Sequence, residues 1–336
     1  MKGLSLKSIG HVELVDMPIP EIQPDQMLIK TGAATICTSD VHDIRSNPFE
    51  TPLPVILGHE AAGTVVAMGA AVHGFNLGDR VTTHPVHACG TCQTCREGLS
   101  HLCLHMGHFG LNMQGTMAEY YVVRHDRALP ISEQMDFPTG SLAEPVSVCL
   151  EALAQAKLKP GNSLLIIGDG PFGILMSRLA EALDLSKVVI VGRQDFRLGF
   201  AGQVVKINDQ HMSNPIPIIK EAGGGLGYDA TILAVGTPEA FSTCQQCLKP
   251  KGRLVVFSAL PGDTPVDLFS VHLKELEIVG ACNDQDRFAE AVHMLSNPVY
   301  NISKFITHRL PLSEFKQALH LAEFRQDQAM KVSFVF

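Results

Sequence analysis

Ser163-Leu-Leu-Ile-Ile-Gly168-Asp-Gly170-Pro171-Phe172-Gly173 is the stretch that decides the fold. A strand-like run, Ser163–Ile167, feeds a G-x-G-x-x-G turn, a helix-like segment at 172–183 and a second strand-like run at 187–191. In that context the glycines allow a tight turn and let a pyrophosphate approach the N-terminus of the following helix, which makes Gly168, Gly170, Pro171, Phe172 and Gly173 candidate cofactor-binding residues. The alternation continues outward through strand-like 229–235, helix-like 238–248, and strand-like 253–258 and 276–279. It predicts an α/β region with a doubly wound parallel sheet and crossover helices.

Upstream the texture differs. Residues 1–125 carry short β-type runs, such as 27–30, 63–67 and 120–123, interrupted by Gly, Pro and Asp, and read as a β-rich domain. Downstream, Phe288–Leu295 begins a tail with a helix-like 312–322 and an apolar end at 332–336. A chain of 336 residues exceeds what one hydrophobic core usually supports, so two domains are expected. Thirty-four acidic residues against 26 basic give a formal charge of -8, which disfavours nucleic acid and anionic membrane surfaces as partners. No apolar stretch approaches the ~20 residues of a membrane span, and the first residues lack a signal-peptide core, so a cytoplasmic location is expected.

Four of the nine cysteines, Cys89, Cys92, Cys95 and Cys103, fall in one polar loop. Their spacing suits a tetrahedral metal, and four thiolates would close its coordination sphere, as in a structural zinc site. An iron–sulfur cluster would call for a shorter last gap and a following proline. Arg96 is the single basic Lys or Arg between Arg80 and Arg124, which argues against a nucleic-acid zinc ribbon. His101, His105 and His108 read as members of a solvated loop, and Cys244 and Cys247 as packing residues in a helix-like segment.

Two further segments, Ala34-Thr-Ile-Cys37-Thr-Ser39-Asp40-Val-His42 and Leu57-Gly58-His59-Glu60, flank the quartet on its N-terminal side. With the quartet and the glycine turn, their order resembles the medium-chain dehydrogenase/reductase superfamily across nearly the whole chain. The resemblance implies a β-rich GroES-like catalytic domain (1–146 and 285–336) and a Rossmann cofactor domain (147–284). It implies a catalytic zinc on Cys37 and His59, with Glu60 or Glu144 as the third ligand. The element Leu142-Ala-Glu144-Pro145 is similar to the polyol branch, including sorbitol and threonine dehydrogenases, rather than to relatives with a cysteine at that ligand. Asp40 is expected to orient His59, since a ligating imidazole usually gives its second N–H to a carboxylate. Ser39 and His42 match the family's proton relay.

At the end of the 187–191 run the chain carries Gly192-Arg193 in place of the acidic residue that usually binds the adenosine ribose in NAD-type sites. Arg193 and Arg197 could pair with a 2′-phosphate, so NADP(H) is expected over NAD(H), with Asp195 as the competing ribose ligand. The expected activity is reversible oxidation of a secondary alcohol, a polyol, sugar alcohol or sugar acid, with one catalytic and one structural zinc per chain. A small-molecule substrate and a homodimer or homotetramer go with it, and 45–54 and 106–113 are expected to border the substrate. A non-sugar alcohol or threonine substrate, a zinc-free reductase and a non-catalytic cofactor-binding relative are the competing readings. The ligand candidates and the relay residues disfavour the last two.

Overall fold

The computed structural model describes residues 1–336 apart from Pro261 and Arg325. The chain divides into two compact units, Met1–Pro145 with Phe288–Phe336, and Val146–Arg287. The second unit is built on a six-stranded sheet, every neighbouring pair parallel. Its spatial order is Val205–Asn208, Lys187–Gly192, Ser163–Ile167, Tyr228–Leu233, Leu248–Val256 and Glu277–Gly280. The chain therefore starts at the middle, winds one way, and returns to wind the other. That reversal leaves a crevice at the C-terminal ends of Ser163–Ile167 and Tyr228–Leu233, where open α/β sheets bind ligands.

Both central strands are apolar because both sheet faces are covered: Leu164, Leu165, Ile166, Ile232 and Leu233 have no exposed surface. At the base of the sheet Asp229 ties strands together, accepting from the Ser163 backbone N–H (2.7 Å) and hydroxyl (2.8 Å) and from Lys249 Nζ (2.9 Å).

The first unit is β-rich. Its largest sheet runs in the order Ala128–Pro130, Arg80–Thr83, Glu60–Met68, Gln26–Thr35, Lys331–Val335, Ile306–Pro311, with Tyr120–Arg124 also paired to Gln26–Thr35. The 27–30, 63–67 and 120–123 runs are thus the centres of longer strands or their near equals. The C-terminal strand supplies what the first part lacks, a second neighbour for residues 33–35: Ser333 pairs with Thr35 and Phe334 with Ala34. On the other side Thr35 pairs with Glu60. Three distant segments are aligned by this register, so Cys37, Glu60 and Lys331 emerge at one place. The core of the unit, including Leu4, Ile29, Val65, Val123, Val332 and Phe334, lies beneath it.

Candidate metal centres and nucleotide turn

Cys37 ends the run into the helix Thr38–Ser46 and is its N-cap. Asp40, in the first turn, returns to accept from the Cys37 N–H with Oδ2 at 2.8 Å. Its other oxygen accepts from Gly58 N at 3.2 Å and lies 3.6 Å from His59 Nδ1. One carboxylate, 2% exposed, therefore fastens the two loops that carry Cys37 and His59. Gly58 has φ +95°, and a Cβ there would meet Met117 Cγ at 2.6 Å, so glycine is required for His59 to face inward.

The sulfur of Cys37, a ring nitrogen of His59 and a carboxylate oxygen of Glu60 lie within 4.8 Å of one another, and all three residues are buried. Thiolate, imidazole and carboxylate are the donor types of an open zinc site. Glu144, 9% exposed, is outside that group, although its charge reaches Lys331. Of the two carboxylates proposed as third ligand, the fold brings Glu60 to Cys37 and His59.

Lys331 is the residue that sequence reading missed. Its Nζ donates to Glu60 Oε1 at 2.5 Å and Oε2 at 2.6 Å, with the Ile36 carbonyl at 3.3 Å. Burial opposes the ammonium, but Glu60 and then Cys37 outweigh it and raise its pKa. Nothing in the linear sequence pairs residue 331 with residue 60.

Ser39 is half-buried and His42 exposed, one turn apart along the same helix. The solvated-loop reading holds for His105, which is exposed, but not for its neighbours. His101 is 6% exposed. His108 faces the metal group, its ring centroid 5.5 Å from that of His59. Burial, and then His59, push His108 down to about 3, so the ring is neutral. Its Nδ1 lies 2.7 Å from the Phe109 carbonyl, so Nδ1–H donates there and Nε2 is left as an acceptor.

The four sulfurs of Cys89, Cys92, Cys95 and Cys103 also gather within 4.8 Å. Backbone N–H groups point at them: Cys92 N to Cys89 Sγ, Cys89 N to Cys103 Sγ and His105 N to Cys103 Sγ, each 3.3 Å. The Thr94 hydroxyl and backbone N–H groups lower Cys92 to about 5. Burial, and then Cys92 beside it, push Cys95 up to about 12. Four sulfurs this close can all ionise only around a cation, which fits a closed zinc site. Cys244 and Cys247 are fully buried, in keeping with packing.

In the second unit the glycine turn has the expected form. Gly168 has φ +125°, a Cβ on Gly173 would lie 2.0 Å from the Gly168 carbonyl oxygen, and Gly170 caps the helix Pro171–Leu179. A Cβ on Gly170 would meet nothing within 4 Å, so this side of the turn is open for a phosphate to approach. Phe172 packs on Phe257 at 5.2 Å. Arg197 departs from expectation. It is 2% exposed, on the inward side of the short helix Asp195–Leu198, and is not placed to meet a phosphate at the surface.

Residues 23–133 match the alcohol dehydrogenase GroES-like domain family and residues 171–297 the zinc-binding dehydrogenase family. An L-threonine 3-dehydrogenase of Proteus mirabilis is 30% identical over 99% of this chain and 98% of its own length. A sorbitol dehydrogenase of Bacillus subtilis is 26% identical over 99% of this chain and 96% of its own. A Sinorhizobium meliloti structure described as a zinc-binding dehydrogenase bound to NADP has TM-score 0.94 at 27% identity, covering 100% of this chain and 99% of that one. Galactitol-1-phosphate dehydrogenase of Escherichia coli has TM-score 0.91 at 25% identity, with both chains covered in full, 100% and 100%. The zinc-type donor sets, the open glycine turn and this whole-length similarity agree: the chain belongs to the zinc-dependent alcohol dehydrogenase family, with GroES-like and Rossmann domains.

Proposed function

We propose that the protein interconverts a secondary alcohol, a polyol, sugar alcohol or sugar acid, and its ketone, using zinc and a nicotinamide cofactor. The observation that carries this reading is the convergence of Cys37, His59 and Glu60 beside the Ser39–His42 helix turn. When bound, zinc supplies a Lewis acid for the alkoxide or carbonyl oxygen, and the nicotinamide exchanges hydride with the same carbon. Cys37 and His59 would hold the metal, with Glu60 the carboxylate available beside them. Asp40 fixes both ligand loops. Lys331 balances the charge of Glu60, and Ser39 passes the hydroxyl proton toward exposed His42 and solvent.

The similarity to threonine dehydrogenases supports a second reading, in which the alcohol belongs to a β-hydroxy amino acid. A panel of sugar alcohols, sugar acids and L-threonine, followed by absorbance of the reduced cofactor, separates the two. Turnover with a polyol or sugar acid and none with threonine is expected. Turnover that persists after zinc is removed would overturn both.

We further infer that the protein works as a homodimer or homotetramer. Support comes from the strand Glu277–Gly280, which ends the parallel sheet, and from the preceding helix Leu268–Lys274. Leu268, Phe269 and Leu273 there are 64–71% exposed, beside an open strand edge.

A further inference from the structure

We infer that Asp169, inside the glycine turn, supplies the carboxylate that position 192 lacks, and that it makes the nucleotide site selective for NAD(H) over NADP(H). The inference rests on the dehydrogenase reading above and reverses the cofactor expectation drawn from Gly192-Arg193.

Gly192 closes the strand Lys187–Gly192, next to Ser163–Ile167 and its glycine turn. A Cβ on Gly192 would lie 2.3 Å from Asp169 Cβ, 2.6 Å from its Cγ and 2.7 Å from its Oδ2. The Asp169 side chain thus occupies the volume that a side chain at 192 would fill. It is held there: Oδ2 accepts from both Arg193 N and Gln194 N at 2.8 Å. An acidic group at the end of this strand normally recognises the adenosine ribose hydroxyls. Here the same charge arrives from the neighbouring turn instead.

The surrounding groups favour the same outcome. The Arg193 side chain is 73% exposed, and its Nε lies 3.6 Å from Asp209 Oδ1. Asp209 is itself anchored to this strand end, its N–H donating to the Gly192 carbonyl at 3.0 Å. Asp195 accepts from Asn208 Nδ2 at 2.6 Å. Arg197 is in the interior. A 2′-phosphate would therefore meet the carboxylates of Asp169, Asp195 and Asp209 with, among the described residues, Arg193 as the one nearby exposed guanidinium. It would also compete with Asp169 for the Arg193 and Gln194 N–H groups, whereas a ribose hydroxyl can donate to a carboxylate.

The test is equilibrium binding of NADH and NADPH to the full-length protein, followed by dihydronicotinamide fluorescence in a chain that contains no Trp. NADH should bind at least about tenfold more tightly than NADPH, the scale of one repulsive charge contact in a partly solvated site. Asp169→Asn keeps an acceptor for the two N–H groups but removes the charge, and should tighten NADPH binding so that the two nucleotides come within about threefold. Gly192→Asp alone should weaken NADH because the space is taken, whereas Asp169→Gly with Gly192→Asp, which also removes the Cβ of residue 169, should restore the preference for NADH. Equal binding, or tighter NADPH binding, by the wild type would overturn the inference and leave the dehydrogenase reading intact. A preference for NADH that Asp169→Asn does not reduce would remove Asp169 from the role. Failure of both nucleotides to bind would overturn the dehydrogenase reading, and this inference with it.

Discussion

Lys331 and Glu60 form a doubly hydrogen-bonded ion pair, 2.5 and 2.6 Å, in which the lysine side chain is 3% exposed and the glutamate 0%. Removing one member of such a pair strands the other charge away from water. Lys331→Met should therefore destabilise the first unit by about 3–5 kcal/mol, measured by denaturant unfolding. Lys331→Met combined with Glu60→Gln should cost clearly less than the sum of the two single changes. Additive losses would mean that the pair is energetically inert.

Asp40 grips the Cys37 loop, the Gly58 N–H and the edge of His59. Asp40→Asn should weaken retention of the catalytic zinc by about 10- to 100-fold in a chelator competition. Turnover should fall in parallel, and the metal at the cysteine quartet should stay in place.

Cys92→Ser removes one ligand from the quartet and leaves Cys37, His59 and Glu60 intact. Metal analysis should fall from about two zinc ions per chain toward one, with a lower melting temperature, because a structural zinc contributes directly to folding. Unchanged zinc content would refute the assignment.

In the Rossmann unit, burial opposes ionisation of Asp229, but Lys249 and Ser163 outweigh it and hold its carboxyl below the usual carboxylate range. The folded-state pKa is depressed, so the stabilisation is fully present above the unfolded value and disappears as pH falls through the folded one. Asp229→Asn should cost about 1.5–3 kcal/mol at neutral pH. The difference from wild type should shrink steadily once the pH drops below about 4.

The open edge at Glu277–Gly280 and the apolar helix before it can be tested through association. Leu273→Glu with Ile278→Lys should shift the protein toward monomer in light scattering, by placing charge on the patch and on the strand edge. A monomeric wild type would end the proposal.

Much of this protein was legible along the chain because its signals are local. The glycine turn at 168–173, the Ser163–Ile167 strand and the cysteine quartet each depend on residues a few positions apart; the alternation of strand-like and helix-like runs out to 279 pointed to the doubly wound sheet, and the cysteine spacing to a cluster of four sulfurs that the fold gathers. Cys37, Asp40 and His59 were readable through motifs, and the capping geometry at Cys37 explains why that motif has its spacing.

The remaining features depended on long-range register and on side-chain volume. Sheet pairing of 35 with 60 and of 35 with 333 brings Lys331 to Glu60, a contact across 271 positions. The same pairing places Glu60 rather than Glu144 with Cys37 and His59. The His108 ring faces His59 because a two-stranded pairing, Val86–His87 with Gly107–His108, carries it there. At the glycine turn the sequence determined that a dinucleotide should dock, since glycine spacing is a one-dimensional signal. Only the tertiary structure decided what lies at the end of the next strand: Gly192 leaves a space, parallel strands bring Asp169 beside it, and a carboxylate from another loop fills it.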